Sequence, residues 1–196
     1  MSLSRQQFTL LGIFTLFLGP VILVMLMRSP WWQYQPAGLK NQGYLVQPPV
    51  HVSLDFSQDL DRKWLILYVI DTACDQKCID RVTSLRQIHR AVGRNSNHLA
   101  VVLLSKTRLE PELRSRLDSI YPDFQFVTDS ADSVLTALVA VNADMAADTG
   151  SSGAVHTYVV DPMLNVMLAY GVSTNAGDIH KDIKRLLKWS DQENTK

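Results

Sequence analysis

The sequence contains little cysteine and no net charge. Only two of its 196 residues are cysteines, Cys74 and Cys78, and its 19 lysines and arginines are balanced by 19 aspartates and glutamates. Two cysteines are too few for a fold stabilised by several disulfides. The balanced charge indicates no basic surface, which argues against a nucleic-acid-binding protein. No internal repeat is apparent in the sequence.

Charged side chains are absent from residues 8–27, FTLLGIFTLFLGPVILVMLM. As a helix this run would span about 30 Å, which matches the hydrocarbon core of a bilayer. Arg28 and the aromatic stretch SPWWQY follow, as they do at a membrane interface, and no A-x-A-like cleavage pattern is present. After a short N-terminal segment (1–7), we therefore predict one transmembrane helix over 8–27, with the C-terminal domain in the periplasm or an equivalent compartment.

The remaining chain has the pattern of one α/β domain. Residues 35–50 are rich in Pro, Gly and Gln, as a tether would be. We therefore predict an interfacial segment and tether over 28–50, a domain over 51–190 and a tail over 191–196. Apolar runs predict strands at 52–56, 64–70, 99–105, 124–128, 155–160 and 166–171. Helical spacing predicts helices at 78–92, 111–122 and 132–142, a mobile loop at 143–153, and a last helix from Asp178.

The alternating order of these elements favours a sheet with helices on its faces. The first strand-to-helix junction carries the two cysteines, and the chain ends in a hairpin followed by a helix. This is the order of a thioredoxin-like fold, in which a central mixed sheet is flanked by helices.

The segment CDQKC at residues 74–78 allows three kinds of chemistry. In an oxidising compartment a lone cysteine pair is most simply a structural disulfide. At a helix N-terminus the pair can also exchange with other thiols, because the helix dipole stabilises a thiolate. Two sulfur ligands can alternatively bind copper(I) or zinc, and His156 enters a strand expected beside the cysteines.

Two segments, WLILYVIDTACDQKC and HTYVVDPMLNVMLAYG, resemble the Sco/SenC family, as does the N-terminal anchor. The resemblance implies a membrane-anchored thioredoxin-like protein that assists copper delivery to cytochrome c oxidase, with Cys74 and Cys78 as site residues. The family has proline after each cysteine, where this chain has Asp75 and Ile79. Its copper-binding histidine corresponds by count to residue 153, so His156 can replace it only if the preceding loop is rebuilt.

We therefore expect a single-pass protein of the bacterial inner membrane with a periplasmic dithiol domain that assists oxidase assembly, an assembly factor more than a turnover enzyme. Reduced Cys74 and Cys78 would bind copper, with His156 as a third metal ligand, or would reduce a disulfide, with Cys74 as the attacking thiol. The expected partner is a terminal oxidase subunit or a copper chaperone. The alternative is a non-catalytic binding module in which the Cys74–Cys78 disulfide is structural.

Overall fold

The computed structural model describes residues 5–27, 41–53, 60, 62–70, 74–150 and 155–193. The chain forms two compact units, Met1–Lys40 and Asn41–Lys196. The first unit contains helix α1, Arg5–Met27, whose described apolar side chains are largely exposed. The helix predicted at 8–27 is therefore present. Within the described segments, however, no helix is both long and apolar enough to cross a membrane, so the structure does not supply the predicted span.

The second unit is built on a six-stranded mixed sheet in the order β1-β6-β5-β2-β3-β4. The strands are β1 Tyr44–His51, β2 Trp64–Ile70, β3 Leu99–Ser105, β4 Gln125–Thr128, β5 Val155–Val160 and β6 Asn165–Gly171. The helices are α2 Gln76–Ala91, α3 Pro111–Ile120, α4 Ser133–Thr149 and α5 Ala176–Glu193, with a 3-10 helix at Gly93–His98. Strands β2, β3 and β4 are parallel, whereas β5 pairs antiparallel with both β2 and β6. The predicted thioredoxin-like arrangement is confirmed.

Helices cover both faces of the sheet, which explains why its central strands are apolar at nearly every position. On one face, Ile66 and Ile70 of β2 pack in a cluster that includes residues of α2, α3 and α5. On the other face, Leu65 and Leu67 pack in a cluster that includes residues of α4 and β1. The continuous run WLILYVI is therefore a central strand, as predicted.

Two predicted elements are wrong. The first strand lies at Tyr44–His51, not at 52–56: Val52 and Ser53 are outside any strand, and residues 54–56 lie outside the described part. Edge strand β1 pairs with β6 through its backbone, so Pro48 and Pro49 do not prevent strand formation as they would in a central strand. Helix α4 extends to Thr149 and ends at Gly150, whose φ of 65° suits a C-cap, so residues 143–149 are not a loop.

A buried carboxylate connects the start of the sheet to α5. Asp182 Oδ2 accepts hydrogen bonds from the backbone N–H of Gln42 (2.8 Å) and Gly43 (3.0 Å) and from the hydroxyl of Tyr170 (3.2 Å). Arg185 lies 3.7 Å from Asp182 Oδ1. Burial and the neighbouring charge of Asp182 raise the pKa of Tyr170. These contacts, here named the Asp182 cluster, fix the segment that leads into β1.

Alkaline pH is expected to destabilise the fold through Tyr158, which is 1% exposed. Burial raises the pKa of Tyr158 from 10.0 to about 12, against the lowering effect of its hydrogen bond to Asn142. Above pH 10 the unfolded chain loses this proton while the folded chain keeps it, so stability falls as pH rises, by up to about 1.4 kcal/mol per pH unit.

Urea unfolding measured from neutral pH to about pH 12 tests this expectation. The variant Tyr158→Phe should show a shallower pH dependence, although buried Tyr170 will preserve part of it. An unchanged slope in Tyr158→Phe would exclude Tyr158 as a source of the alkaline loss.

Candidate functional site

Cys74 and Cys78 form a disulfide with a Cα–Cα distance of 5.2 Å, and they are the only cysteines in the sequence. Cys78 lies in the first turn of α2, and Asp75 caps this helix by accepting a hydrogen bond from the Cys78 N–H at 2.9 Å. The helix predicted at 78–92 is therefore confirmed, and it begins two residues earlier, between the cysteines. Both cysteines are half-buried, so their exposure does not distinguish Cys74 as the attacking thiol.

A cleft of about 680 Å³ lies beside the disulfide. Five parts of the domain contribute to it: the end of β2, the first half of α2, the start of β5, the end of β6, and the segment between β6 and α5. Its lining includes Cys78, His156, Tyr68, Tyr170, Arg81 and Asn175. The disulfide is therefore next to a space that can receive part of another molecule.

His156 faces this cleft because strand β5 contains a bulge. The pairing of β5 with β6 shifts register between Val155 and Thr157, which places one extra residue in β5. In a regular strand, His156 would face the same side as Tyr158, towards α4. The bulge instead lets His156 and Thr157 line the cleft together. The His156 ring lies beside Tyr68, with 6.4 Å between ring centroids.

The structure brings Cys78 and His156 to one cleft. The two cysteines, however, are joined in a disulfide, so their sulfur atoms are not thiolate ligands in this state. Among the residues described, no group of three or more His, Cys, Asp or Glu side chains is arranged to hold a metal ion. The ligand set of Cys74, Cys78 and His156 therefore stays a prediction for the reduced protein.

Two other side chains of types that bind metals lie away from the cleft. Asp148 belongs to α4 and accepts a hydrogen bond from Tyr44 at 2.7 Å. The His89 ring contacts the Leu99 carbonyl oxygen (3.0 Å) and the Tyr121 hydroxyl (2.9 Å). Neither side chain lines the cleft.

Sequence reasoning missed Arg81, which lines the cleft one helical turn after Cys78. Its guanidinium donates to the carbonyl oxygens of Val172 (2.6 Å) and Thr174 (3.0 Å). The spacing of three residues predicts that Arg81 shares a helix face with Cys78. Its acceptors lie more than 90 residues away in the sequence and carry no side-chain signature, so only the tertiary structure identifies them.

Solved structures with this fold include two Sco proteins. Yeast Sco1 is 18% identical with a TM-score of 0.51, covering 73% of this chain and 97% of that one. Arabidopsis thaliana ScoI with copper bound is 16% identical with a TM-score of 0.50, covering 67% and 88%. A thiol:disulfide interchange protein from Bacteroides sp. is 14% identical with a TM-score of 0.45, covering 74% and 90%. At such identities the first two similarities show a shared fold.

The sequence comparisons give one match. No curated protein sequence matches the chain. A family model described as "Transmembrane-like, thioredoxin-like, C-terminal domain" matches residues 64–190, from the first residue of β2 into α5. Because this match covers more than half of the sequence, the chain belongs to the family of transmembrane-like proteins with a thioredoxin-like C-terminal domain.

Proposed function

We propose that this protein is a thiol–disulfide exchange factor that acts through Cys74 and Cys78. The observation that carries the proposal is the position of the disulfide, at the first turn of α2 and beside an open cleft. The loop closed by this disulfide contains three intervening residues, so the bond gains little from restricting the unfolded chain. The helix N-terminus stabilises a thiolate on Cys78 after reduction.

The exchange takes place in two displacements. A thiolate of the reduced pair attacks one sulfur of a partner disulfide, and the other partner sulfur leaves as a thiolate that takes up a proton. The second protein thiol then loses its proton and attacks the mixed disulfide. The partner leaves as a dithiol, the Cys74–Cys78 disulfide forms again, and two electrons have passed to the partner. A dithiol reductant restores the starting state.

The biological role we infer is assistance to cytochrome c oxidase assembly outside the cytoplasm. The resemblance to Sco/SenC proteins supports this role, and the partner would be a terminal oxidase subunit or a copper chaperone. A disulfide persists in an extracytoplasmic compartment, in agreement with this location. The exposed apolar side chains of α1 would attach the protein to the membrane. Release of the full chain from membranes by alkaline carbonate would contradict that attachment.

Copper(I) transfer is a second candidate, favoured by the bulge that directs His156 into the cleft with Cys78. Two thiolates and an imidazole are ligands that suit copper(I). In this case copper is the cargo, and the cysteines must be reduced before they bind it. Asp75 and Lys77 also line the cleft, so the charges beside the sulfurs oppose each other.

A redox titration of the full chain in detergent separates exchange from a structural disulfide. We expect the Cys74–Cys78 couple to have a reduction potential within the range of exchange proteins, about −120 to −270 mV. A Cys74→Ser variant should lose all disulfide-reducing activity. A potential below about −300 mV, without exchange with small thiols, would support the non-catalytic module.

Titration of the reduced, anaerobic full chain with copper(I) against a competing chelator tests the second candidate. Tight one-to-one binding lost in both Cys74→Ser and His156→Ala would support a site with three protein ligands. Binding lost only in Cys74→Ser would indicate two thiolates without His156. Failure to compete with the chelator would exclude copper transfer and leave thiol exchange unaffected.

A further inference from the structure

The turn between β6 and α5, residues 172–175, forms one wall of the cleft beside the disulfide. The Thr174 N–H donates to the Gly171 carbonyl oxygen (3.0 Å), and Asn175 Oδ1 accepts from the Gly177 N–H (2.8 Å). These hydrogen bonds shape the turn locally. They do not connect it to α2, the helix that carries Cys78 on the opposite wall.

Arg81 makes that connection. It is half-buried in α2, and its two terminal nitrogens donate to the Val172 and Thr174 carbonyl oxygens at 2.6 and 3.0 Å. The planar guanidinium holds several N–H donors in a fixed, forked arrangement, so it can bridge two acceptors at a set separation. A lysine ammonium lacks this forked arrangement of donors. Arg81 therefore sets the distance between the two walls.

The turn also presents an apolar group to the cleft. Val172 is 51% exposed. The structure describes three large exposed apolar side chains in the thioredoxin-like domain, Val139, Met163 and Val172, and of these Val172 is the one that lines the cleft. The lining of the same cleft also includes the polar residues Thr157, Thr174 and Asn175. This mixture suits a polypeptide segment, which offers both backbone polar groups and apolar side chains.

We propose that Arg81 is a positioning residue for a polypeptide partner. The inference rests on the exchange function proposed above. By fixing the 172–175 turn against α2, Arg81 keeps the cleft in the shape that receives an extended segment, with an apolar side chain of that segment on Val172 and its sulfur at Cys78. A small disulfide needs access to the sulfur only, so its reaction does not depend on the turn.

The test compares two disulfides as substrates of the reduced full chain in detergent. One is a synthetic peptide closed by a single disulfide, with leucine beside a cysteine, and the other is hydroxyethyl disulfide. We expect Arg81→Met to slow peptide reduction by about tenfold or more. A small misplacement of the reacting groups can lower a reaction rate by about 100-fold. The rate with hydroxyethyl disulfide should stay within about twofold of wild type. Arg81→Lys should behave like Arg81→Met, because lysine keeps the charge and loses the fork.

Two further variants keep the test decisive. Arg90→Met removes an exposed arginine from the same helix, outside the cleft lining, and should leave both rates unchanged. Val172→Ser alters an exposed side chain, so it should have little effect on folding. It should slow reduction of the peptide by about fourfold, which corresponds to the loss of one methylene-sized apolar contact. Reduction of hydroxyethyl disulfide should not change.

Equal slowing with both disulfides would overturn the proposal, because Arg81 would then act on the cysteines or on the whole fold. Unchanged peptide reduction in both Arg81→Met and Val172→Ser would overturn it as well. If the wild-type chain reduces neither disulfide, the proposed exchange function fails, and the role of Arg81 fails with it. Exchange with hydroxyethyl disulfide in every variant, without peptide selectivity, would refute the positioning role and retain the exchange function.

Discussion

Replacing Asp182 with alanine is expected to lower the free energy of unfolding by roughly 3–5 kcal/mol. Its Oδ2 atom accepts three hydrogen bonds, from the backbone of Gln42 and Gly43 and from the hydroxyl of Tyr170. The Asp182 side chain is 1% exposed, so water cannot replace it without opening the structure. Each buried donor left without an acceptor costs about 1–3 kcal/mol, so three donors would cost about 3–9 kcal/mol together. The expected loss lies in the lower part of this range because the hydrogen bond from Gln42 is only partly buried, so water can replace its acceptor.

Urea unfolding of the full chain measures this effect. Asp182→Asn retains one acceptor oxygen and should cost less than Asp182→Ala. The matched control is Asp178→Ala, on the same helix, where the carboxylate is 32% exposed and pairs with Lys181 at the surface. We expect that control to change stability by less than about 1 kcal/mol. A similarly small change in Asp182→Ala would show that the Asp182 cluster does not hold the domain together.

Replacing Gly43 with alanine is expected to destabilise the protein by about 3 kcal/mol, the upper part of the range for overpacking. An added Cβ would lie 2.5 Å from Cε1 and 2.8 Å from Cζ of Tyr170. The Tyr170 ring is 1% exposed and its hydroxyl is bonded to Asp182, so it has no free space to move into. Relief of the overlap would separate β1 from the Asp182 cluster.

The control for Gly43→Ala is Gly171→Ala, beside the same tyrosine in β6. Its added Cβ would meet Met145 Cε at 3.9 Å, an ordinary contact, so we expect a change within about 0.5 kcal/mol. In a Tyr170→Leu background, Gly43→Ala should cost much less than in the wild type, because the ring that it overlaps is gone. Equal costs in the two backgrounds would show that the destabilisation has another cause.

Much of the fold follows from sequence patterns because the central strands are buried on both faces. The runs WLILYVI, LAVVLLS and VHTYVV match β2, β3 and β5 residue for residue, since burial on both sides of the sheet keeps these strands mostly apolar and sets them apart from the polar segments around them. The helix that begins between Cys74 and Cys78 was also predictable from the spacing of Ile79, Val82 and Leu85.

The errors arise where tertiary contacts decide the local structure. Strand β1 contains two prolines and forms because β6 offers it an edge, which its own sequence does not indicate. Helix α4 continues past residue 142 because Met145 packs against the core, a contact that a stretch of alanine and aspartate does not predict. Gly43 and Asp182 are 139 residues apart, so no local pattern links them.

In the candidate site, too, some features follow from the local sequence and others from tertiary contacts. The cysteines and their place at the start of α2 could be predicted, because a strand, two cysteines and a helix follow directly in the sequence. The side of β5 on which His156 lies depends on a register shift against β6, and the role of Arg81 depends on two distant carbonyl groups. A single inserted position in a strand reverses every side-chain assignment before it, and sequence alone does not locate such a position.

The two prolines of β1 affect how copies of this domain behave at high concentration. An open sheet edge exposes N–H and C=O groups, which can recruit a strand from a neighbouring copy and begin aggregation. Strand β1 is one outer edge of the sheet, and Pro48 and Pro49 have no N–H to donate. The other outer edge, β4, has only four residues. Both edges are therefore poor templates for intermolecular sheet growth, a property that protects the domain from self-association at high concentration.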